Sequence, residues 1–588
     1  MNIKKTIEGD LKEVFSKFGF DTSLASVVFS GREGCDFQCN SAFSLAKQLK
    51  KNPFQVATDI ANNIQSKSLY DVEACQPGFV NFIIKNETFS KQANQLLKDE
   101  SNGIEKNLNK KKVLMDYGGA NVAKELHIGH LRSPIIGESL KRLYRLLGDE
   151  VISDTHLGDW GLQMGLNIAQ LEDEGFLEYY FGRSNDKVEI TMDMLNNAYP
   201  KASIRKKTDE AFKKKAEDYT LFVQQHKEPY YGIYSIIKDL SIKRIKENYD
   251  KLGAHFDYWL GESDAMPYVK EAVQIFKDKK LAKVSQGALV VDVAVDGENV
   301  PTDKKDENGN ILYKNPMPPV ILQKANGGDI YHTTEIATIL MRNKMFDLDK
   351  MVYITDNRQA QHFKQVFRAC KMAGISPENQ ELVHIEFGTM NGKDGKPFKT
   401  RNGEVLKLED IINLVKDKAS LKLKENGIEN NESLALDIGM AAMKFGDMSN
   451  TISKDYVFDI DKFLSFEGKT GPYIQYTVAR INSILNKAID EDKNGEIVIE
   501  SEEERKIAMS ILKLISSYKV CYKDNSLNTL CESVYDLASS FSTFYNNVKI
   551  LSESDVKKKR SYIALSELVR KFIIQALFVL GINAPEKM

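Results

Sequence analysis

Two βαβ signatures set far apart constrain this 588-residue chain more than any other feature. In the first, an apolar strand from Val113 to Tyr117 leads into a helix with apolar residues at Leu140, Leu143 and Leu147, and then into a strand from Glu150 to Asp154. In the second, a strand from Lys350 to Thr355 precedes a helix through Phe363, Val366, Phe367 and Cys370 and a strand from Leu382 to Phe387. Apolar strands alternating with helices of 3.6-residue periodicity predict the two halves of a doubly wound parallel sheet. Pro134 sits awkwardly in the first helix: either Ser133 and Pro134 form a cap and first-position pair, or the helix is kinked there. The insertion between the halves, about residues 165–345, reads as helix-rich from Met192 to Tyr249 and strand-rich around Gly287 to Asp292 and Val320 to Lys324.

A chain of this length exceeds what one hydrophobic core organises, so several domains are expected. Residues 1–110 read as a small α/β domain, with helical spacing from Leu11 to Phe18, a helix from Ser41 to Leu49 and a strand from Phe79 to Ile84. A lysine-rich linker from Asn107 to Lys112 leads to a Rossmann-like parallel-sheet catalytic domain over 111–450, and residues 451–588 read as an all-α helical bundle. The multidomain α/β reading is that of a globular protein, and a net charge of −2 gives no global attraction to nucleic acid. Any RNA contact must be local. Lysine clusters at 110–112, 206–207, 213–215 and 557–560 are candidates, although such runs are more often solvated helix faces. Six cysteines without Cys-x-x-Cys spacing argue against a disulfide framework or a structural metal. With no apolar leader and no apolar stretch long enough to span a bilayer, a cytoplasmic protein without membrane association is expected.

The first strand runs into its helix through Asp116-Tyr-Gly-Gly-Ala-Asn-Val-Ala-Lys-Glu-Leu-His-Ile-Gly-His-Leu-Arg132. A strand feeding a helix N-terminus offers backbone N–H groups and the positive dipole end to phosphate oxygens, while Gly129 allows a flat base to approach the backbone. His127 and His130 add donors, which raise rate where charge develops on a phosphorus undergoing displacement. With Asn121-Val-Ala-Lys124 before it and His156-Leu-Gly-Asp-Trp-Gly161 one βα unit later, this run resembles the signature region of class I aminoacyl-tRNA synthetases, specifically the arginyl-tRNA synthetase family. The resemblance extends over nearly the whole chain. It implies ATP-dependent ligation of L-arginine to tRNA(Arg) through an arginyl-adenylate, with Mg²⁺ arriving on ATP.

The resemblance also distributes roles. His127, His130 and Lys124 correspond to catalytic positions; His127, Gly129, His130, Asp356, Lys399 and Arg401 to ATP contacts; Asn121, Glu262, Tyr331, Glu335 and Gln359 to the arginine pocket. Two departures stand out. The loop from Lys393 to Gly403 carries Thr400 where the KMSKS signature has its second lysine, so Lys124 is the expected substitute, with Lys399 and Arg401 as helpers. Glu335 replaces the Asp of the family's Tyr-x-x-x-Asp, keeping the charge at a longer reach. A guanidinium offers a fixed fork of donors that paired carboxylates satisfy, so Glu262 and Glu335 should face one cation. Asp159 and Trp160 are expected to brace the pocket rather than react. For tRNA, Tyr473, Tyr476 and Arg480 share a helix face and match the family's anticodon-contact segment, Met588 lies near a matching terminus, and Phe79 and Asn81 resemble the pair that reads the outer corner of the tRNA. A monomer is expected. The competing readings are a class I synthetase of other specificity, which two converging carboxylates disfavour, and a non-catalytic tRNA-binding paralogue, which Thr400 and Glu335 leave some room for.

Overall fold

The second-half strands Lys350–Asp356 (β3) and Glu381–Phe387 (β4) join the first-half strands Lys112–Asp116 (β1) and Glu150–Asp154 (β2) in one parallel sheet of order β4-β3-β1-β2. The computed structural model describes residues 2–588 except 33, 296, 299, 306–308, 310, 315–316, 325–330, 397–405 and 429–430. Met351, Val352, Tyr353 and Ile354 of β3 are all fully buried, because helices cover both faces of a parallel sheet, and this produces an unbroken apolar run in place of alternation. Strand order reverses between β1 and β3, so their C-terminal ends diverge and leave a crevice where open α/β sheets bind ligands.

The helix after β1 spans Arg132–Leu146 (α1). Ser133 and Pro134 do not form the expected cap and first-position pair: Pro134 is the third residue of the helix, inside the first turn, where no intrahelical N–H bond is lost, and Ser133 lies within the helix. Ser133 Oγ instead accepts from Gly118 N–H at 2.8 Å and donates to the Ile354 carbonyl at 2.7 Å, joining the ends of β1 and β3 at the crevice.

The insertion supplies helices Leu162–Asp173 (α2), Met192–Arg205 (α3), Glu210–Gln224 (α4), Tyr230–Lys251 (α5) and Glu262–Asp278 (α6). A small antiparallel sheet of Ala282–Ser285, Ala288–Val291 and Val320–Gln323 follows, and then Tyr331–Met345 (α7); Ala360–Ala373 (α8) connects β3 to β4. These elements belong to a compact unit of residues 107–417 and 450–459.

A second unit comprises residues 1–106, 418–449 and 460–588. Its antiparallel sheet has the order Val28–Phe29, Phe37–Cys39, Phe79–Ile84, Tyr70–Cys75, and its helices include Gly471–Lys487, Glu502–Asp524, Asn528–Asn547 and Val556–Val579. Arg505 fastens the bundle to this sheet, pairing with Asp36 and donating to the Ile84 carbonyl at 2.6 Å. The units are drawn differently from the expected three domains. Residues 418–449 group with the bundle because helix Glu432–Met448 is buried nearly all round, from Ile438 to Met448, and a helix without a polar face needs helical neighbours on every side.

Most of the lysine clusters are spent in ion pairs: Lys112 with Glu150 at 3.3 Å, Lys214 with Asp218 at 2.7 Å, Lys215 with Glu172 at 2.7 Å and Lys559 with Asp492 at 2.6 Å. Among the described residues, no helix is long and apolar enough to cross a membrane.

Candidate active site

A cavity of about 410 Å³ opens at the switch point between β1 and β3. Its wall brings together Asn121, His127, Gly129, His130, Glu262, Glu335, Asp356 and Gln359, eight of the residues singled out from sequence. Tyr331 opens α7, but its side chain lies outside the described residues, as do Lys399, Thr400 and Arg401.

The two imidazoles form a unit with ring centroids 4.0 Å apart, on a single 3₁₀ turn from Ile128 to His130. The backbone N–H of His127 donates to His130 Nδ1 at 3.1 Å, and that of Gly129 donates to His127 Nδ1 at 3.1 Å. Each Nδ1 is therefore an acceptor, which fixes the tautomer and leaves Nε2–H as the outward donor. Burial pushes His130 down to about 3, reinforced by His127 and Lys124, and burial together with Lys124 and Arg358 lowers His127. The pair at neutral pH is thus two uncharged, aimed dipoles. Backbone pairing stitches this turn to the exit of the lysine-bearing loop: Ile128 N–H donates to the Leu406 carbonyl and Leu408 N–H to the Leu126 carbonyl, both at 2.9 Å.

The opposite wall is acidic. Glu262 and Glu335 arrive from different helices, α6 and α7, and both carboxyls are raised, first by burial, with His156 opposing the rise in each. Glu335 is 4% exposed and its Oε1 has no hydrogen-bond partner among the described residues. A residue of the cavity wall thus carries a buried acceptor that the described residues leave unsatisfied. Glu262 owes its position to Asp159, which is fully buried and accepts from Ser263 N–H at 2.9 Å, Ser263 Oγ at 2.6 Å and Tyr234 OH at 3.1 Å, while pairing with Lys238 at 2.6 Å. Asp159 thus secures the first turn of α6, as the bracing role anticipated. Asn121 is set by a bridge to Gly158, where any Cβ would collide with its amide oxygen.

Asp356 lines the cavity but is occupied: Arg358 binds it through Nε at 2.7 Å and Nη2 at 2.8 Å, and these bonds outweigh burial in holding the carboxyl below its usual range. Lys124 stands beside the imidazoles, its ammonium 4.3 Å from the centre of the Tyr199 ring.

Two participants escaped the sequence reading. His156 lines the same cavity, near enough to act on both carboxyls, with a buried Nδ1 that lacks a partner among the described residues; its place in the His156-Leu-Gly motif was the available signal. Arg342, fully buried, pairs with Asp116 at 2.7 Å and Asp154 at 2.6 Å, neutralising the ends of β1 and β2. Its signal was a cation seven residues after Glu335, closing the largely apolar run Ile336 to Met341.

The proposed RNA contacts fall in the other unit. Tyr473, Tyr476 and Arg480 are half-buried along helix Gly471–Lys487, and the Arg480 guanidinium lies 4.8 Å from the Tyr476 ring and 4.9 Å from that of Tyr545. Met588 ends a tail whose Glu586 carbonyl accepts from Asn482 on that helix at 3.0 Å. Phe79 packs edge-on against Phe43 at 5.0 Å. Asn81 is fully buried on the strand face opposite the core residues Val80, Phe82 and Ile84, between its register partners Gln38 and Glu73 on the two neighbouring strands: its amide accepts from Gln38 at 3.0 Å and donates to Glu73 at 3.4 Å.

Histidines also set an acid limit on the fold. Burial takes His362 down to about 3 and His384 to about 4; His384 is stacked on Phe363 and bonded to Thr355 Oγ1 at 2.8 Å. A folded-state value below the unfolded 6.5 means that the unfolded chain takes up protons first. Stability is then expected to fall as pH drops from about 6.5 toward 4, by up to about 1.4 kcal/mol per pH unit for each such histidine. Denaturant unfolding of a His384→Gln variant across this range should show a shallower slope than the parent; an unchanged slope would refute the assignment.

Comparison with known proteins agrees with this geometry. Residues 92–460 match the family model for the catalytic domain of class I tRNA synthetases (R), residues 474–588 that for the DALR anticodon binding domain, and residues 1–84 that for the arginyl tRNA synthetase N terminal domain. The chain is 40% identical to the arginine–tRNA ligase of Agathobacter rectalis over 607 residues and 40% identical to that of Alkaliphilus oremlandii over 599, covering 99% of each chain in both cases. Its fold is similar to the crystal structure of arginyl-tRNA synthetase from Plasmodium falciparum, at TM-score 0.81 and 24% identity over 100% of this chain and 99% of that one. It is likewise similar to the Thermus thermophilus arginyl-tRNA synthetase, at TM-score 0.80 and 19% identity over 100% of both chains.

Proposed function

The chain belongs to the arginyl-tRNA synthetase family and ligates arginine to tRNA at the expense of ATP, and from that premise we propose how its own residues divide the work. Glu262 and Glu335 take the guanidinium. The carrying observation is the convergence of the half-buried Glu262 and the buried Glu335, whose Oε1 has no partner among the described residues, on the cavity that also holds His127 and His130. Asn121 and Gln359 receive the α-amino and carboxylate groups, which turns the arginine carboxylate toward ATP.

The reaction is in-line attack of that carboxylate oxygen on the α-phosphorus, with pyrophosphate leaving and an arginyl-adenylate forming. The Nε2–H donors of His127 and His130 face the negative charge that grows on the phosphoryl oxygens, and Lys124 supplies the cation for the leaving phosphates that Thr400 does not. Gly129 gives the base room, and Asp356, Lys399 and Arg401 contribute at the ATP side. Mg²⁺ comes with the triphosphate as part of the substrate, held mainly by phosphate and water oxygens. A ribose hydroxyl at the 3′ end of tRNA then displaces AMP.

Tyr473, Tyr476, Arg480 and Met588 form the anticodon-contact surface, where stacked aromatic and guanidinium faces suit unpaired bases. Phe79 contributes at the outer corner, with Asn81 acting through Gln38. A cytoplasmic monomer of three domains completes the reading.

Ligand-induced stabilisation separates arginine from its mimics. At a concentration one hundred times its Kd, arginine should stabilise the protein by about 2.7 kcal/mol. Citrulline, which lacks the cation, and lysine, which lacks the fork of donors, should give shifts near zero at the same concentration. Equal shifts with citrulline would refute the role of the paired carboxylates.

A further inference from the structure

Lys124 is presented by an unusual turn. Ala123 before it has φ of +59°, in the left-handed region that an alanine seldom adopts, and is fully buried. The conformation is held by α5: Ala123 N–H donates to Ser241 Oγ at 2.8 Å, and that hydroxyl donates to the Ile237 carbonyl at 2.7 Å. Strain that is over-determined by its surroundings is a recurrent mark of functional segments. Beyond the turn, α3 grips two consecutive residues with side chains three apart: Tyr199 lies under the Lys124 ammonium, and Asn196 Nδ2 donates to Glu125 Oε1 at 2.8 Å. Glu125 also faces Arg244 of α5 at 3.7 Å. Tyr199 itself is seated against a small apolar cluster of the insertion, which includes Leu166, Ala202 and Phe212.

We propose that Tyr199 is a positioning residue for Lys124: its ring holds the ammonium beside the imidazole pair, ready for the triphosphate. The inference rests on the reading of Lys124 as the replacement cation. A free lysine side chain spreads its charge over many rotamers, and ordering it at the moment of binding costs affinity. An aromatic face attracts an ammonium strongly enough to narrow that spread and weakly enough to yield it to phosphate oxygens. A carboxylate in the same place would compete with the triphosphate for the cation. The arrangement makes helix α3 of the insertion, rather than the lysine loop, the element that sets the cation's place.

The test is a double-mutant cycle in tRNA charging with the full-length enzyme, varying ATP and arginine separately. Tyr199→Leu is expected to lower kcat/KM for ATP by about 5- to 30-fold with KM for arginine unchanged, and Tyr199→Phe, which keeps the ring, to stay within about twofold of the parent. In a Lys124→Met background, Tyr199→Leu should add nothing, since the partner it positions is gone. Incorporating pentafluorophenylalanine at 199 keeps the packing while removing the negative ring face, and should reproduce the Leu defect even if Tyr199→Leu fails to fold. A penalty in the Lys124→Met background equal to that in the parent, or a fluorinated ring as active as phenylalanine, would overturn the proposal while leaving Lys124 in place. A silent Lys124→Met variant would instead overturn the reading of Lys124 itself, and the role of Tyr199 with it.

Discussion

Replacing Glu335 with glutamine should lower kcat/KM for arginine by about 100- to 1,000-fold and, at the same time, raise the thermal stability of the ligand-free protein. The two effects share one cause. Glu335 is buried, its Oε1 lacks a partner among the described residues and its carboxyl is raised above the ordinary range, chiefly by burial. A folded-state value above the unfolded one means that the protonated form is favoured in the fold; its stabilisation is present below the unfolded value and is lost as pH rises through the folded one. Above the unfolded value the carboxyl therefore costs stability, which a neutral amide of the same shape removes. The gain in melting temperature from Glu335→Gln should shrink on acidification, when the parent carboxyl protonates. With arginine bound the balance inverts, because the guanidinium supplies the charge that the cavity lacks. Removing one partner of a buried charged pair costs about 3–4 kcal/mol, hence the predicted loss in kcat/KM. Glu335→Asp restores the charge one methylene further back and should lose only about tenfold. KM for ATP serves as the internal control. An unaltered kcat/KM for arginine in Glu335→Gln would remove this carboxylate from substrate recognition.

The parts of the site legible in the sequence are those written as contiguous words. His127 and His130 sit on one turn, and the elements that place them, β1 and α1, have apolar periodicities that read directly. Glu262 and Glu335 are 73 positions apart in the chain, and no local pattern announces that α6 and α7 deliver them to one cavity; only the resemblance joined them. Less legible still were residues whose role is to hold others. Arg342 reads as an ordinary late-turn cation on α7, yet its guanidinium is what allows Asp116 and Asp154 to end adjacent strands under the site. Asp159 was legible as a brace, but not as the anchor of the Glu262 turn, because Ser263, Tyr234 and Lys238 reach it from two different helices. Pro134 misled for a local reason: a proline in the first turn of a helix breaks nothing, so its presence there carries no information about a kink. Nor does strand spacing announce that the Asn81 amide is shared between Gln38 and Glu73, its register partners on the two neighbouring strands.

The largest effect on the chemical step is expected at His130. Its ring is half-buried and neutral, with Nδ1 fixed as acceptor of the His127 N–H and Nε2–H free to donate. A donor already oriented before reaction costs no reorganisation as phosphoryl charge develops, and removal of one such donor typically lowers kcat by about 100- to 1,000-fold. His130→Ala should show that loss, with KM for ATP moving by no more than about threefold, because the interaction strengthens only as charge grows. His130→Gln places an amide N–H near the Nε2 position and should recover part of kcat, which distinguishes a dipolar donor from a proton source. The pH profile provides a second distinction. An imidazolium acting as a general acid near its ordinary value would give kcat a fall above about pH 6.5, whereas a ring held near 3 leaves kcat flat from pH 6 to 8 as far as this group is concerned. His130→Ala also removes the acceptor of the His127 N–H, so thermal unfolding must be measured alongside; the kcat loss should exceed any change that the melting temperature explains. If instead KM for ATP rises with kcat preserved, the imidazole contributes to ground-state binding, and the transition-state role of the pair is wrong.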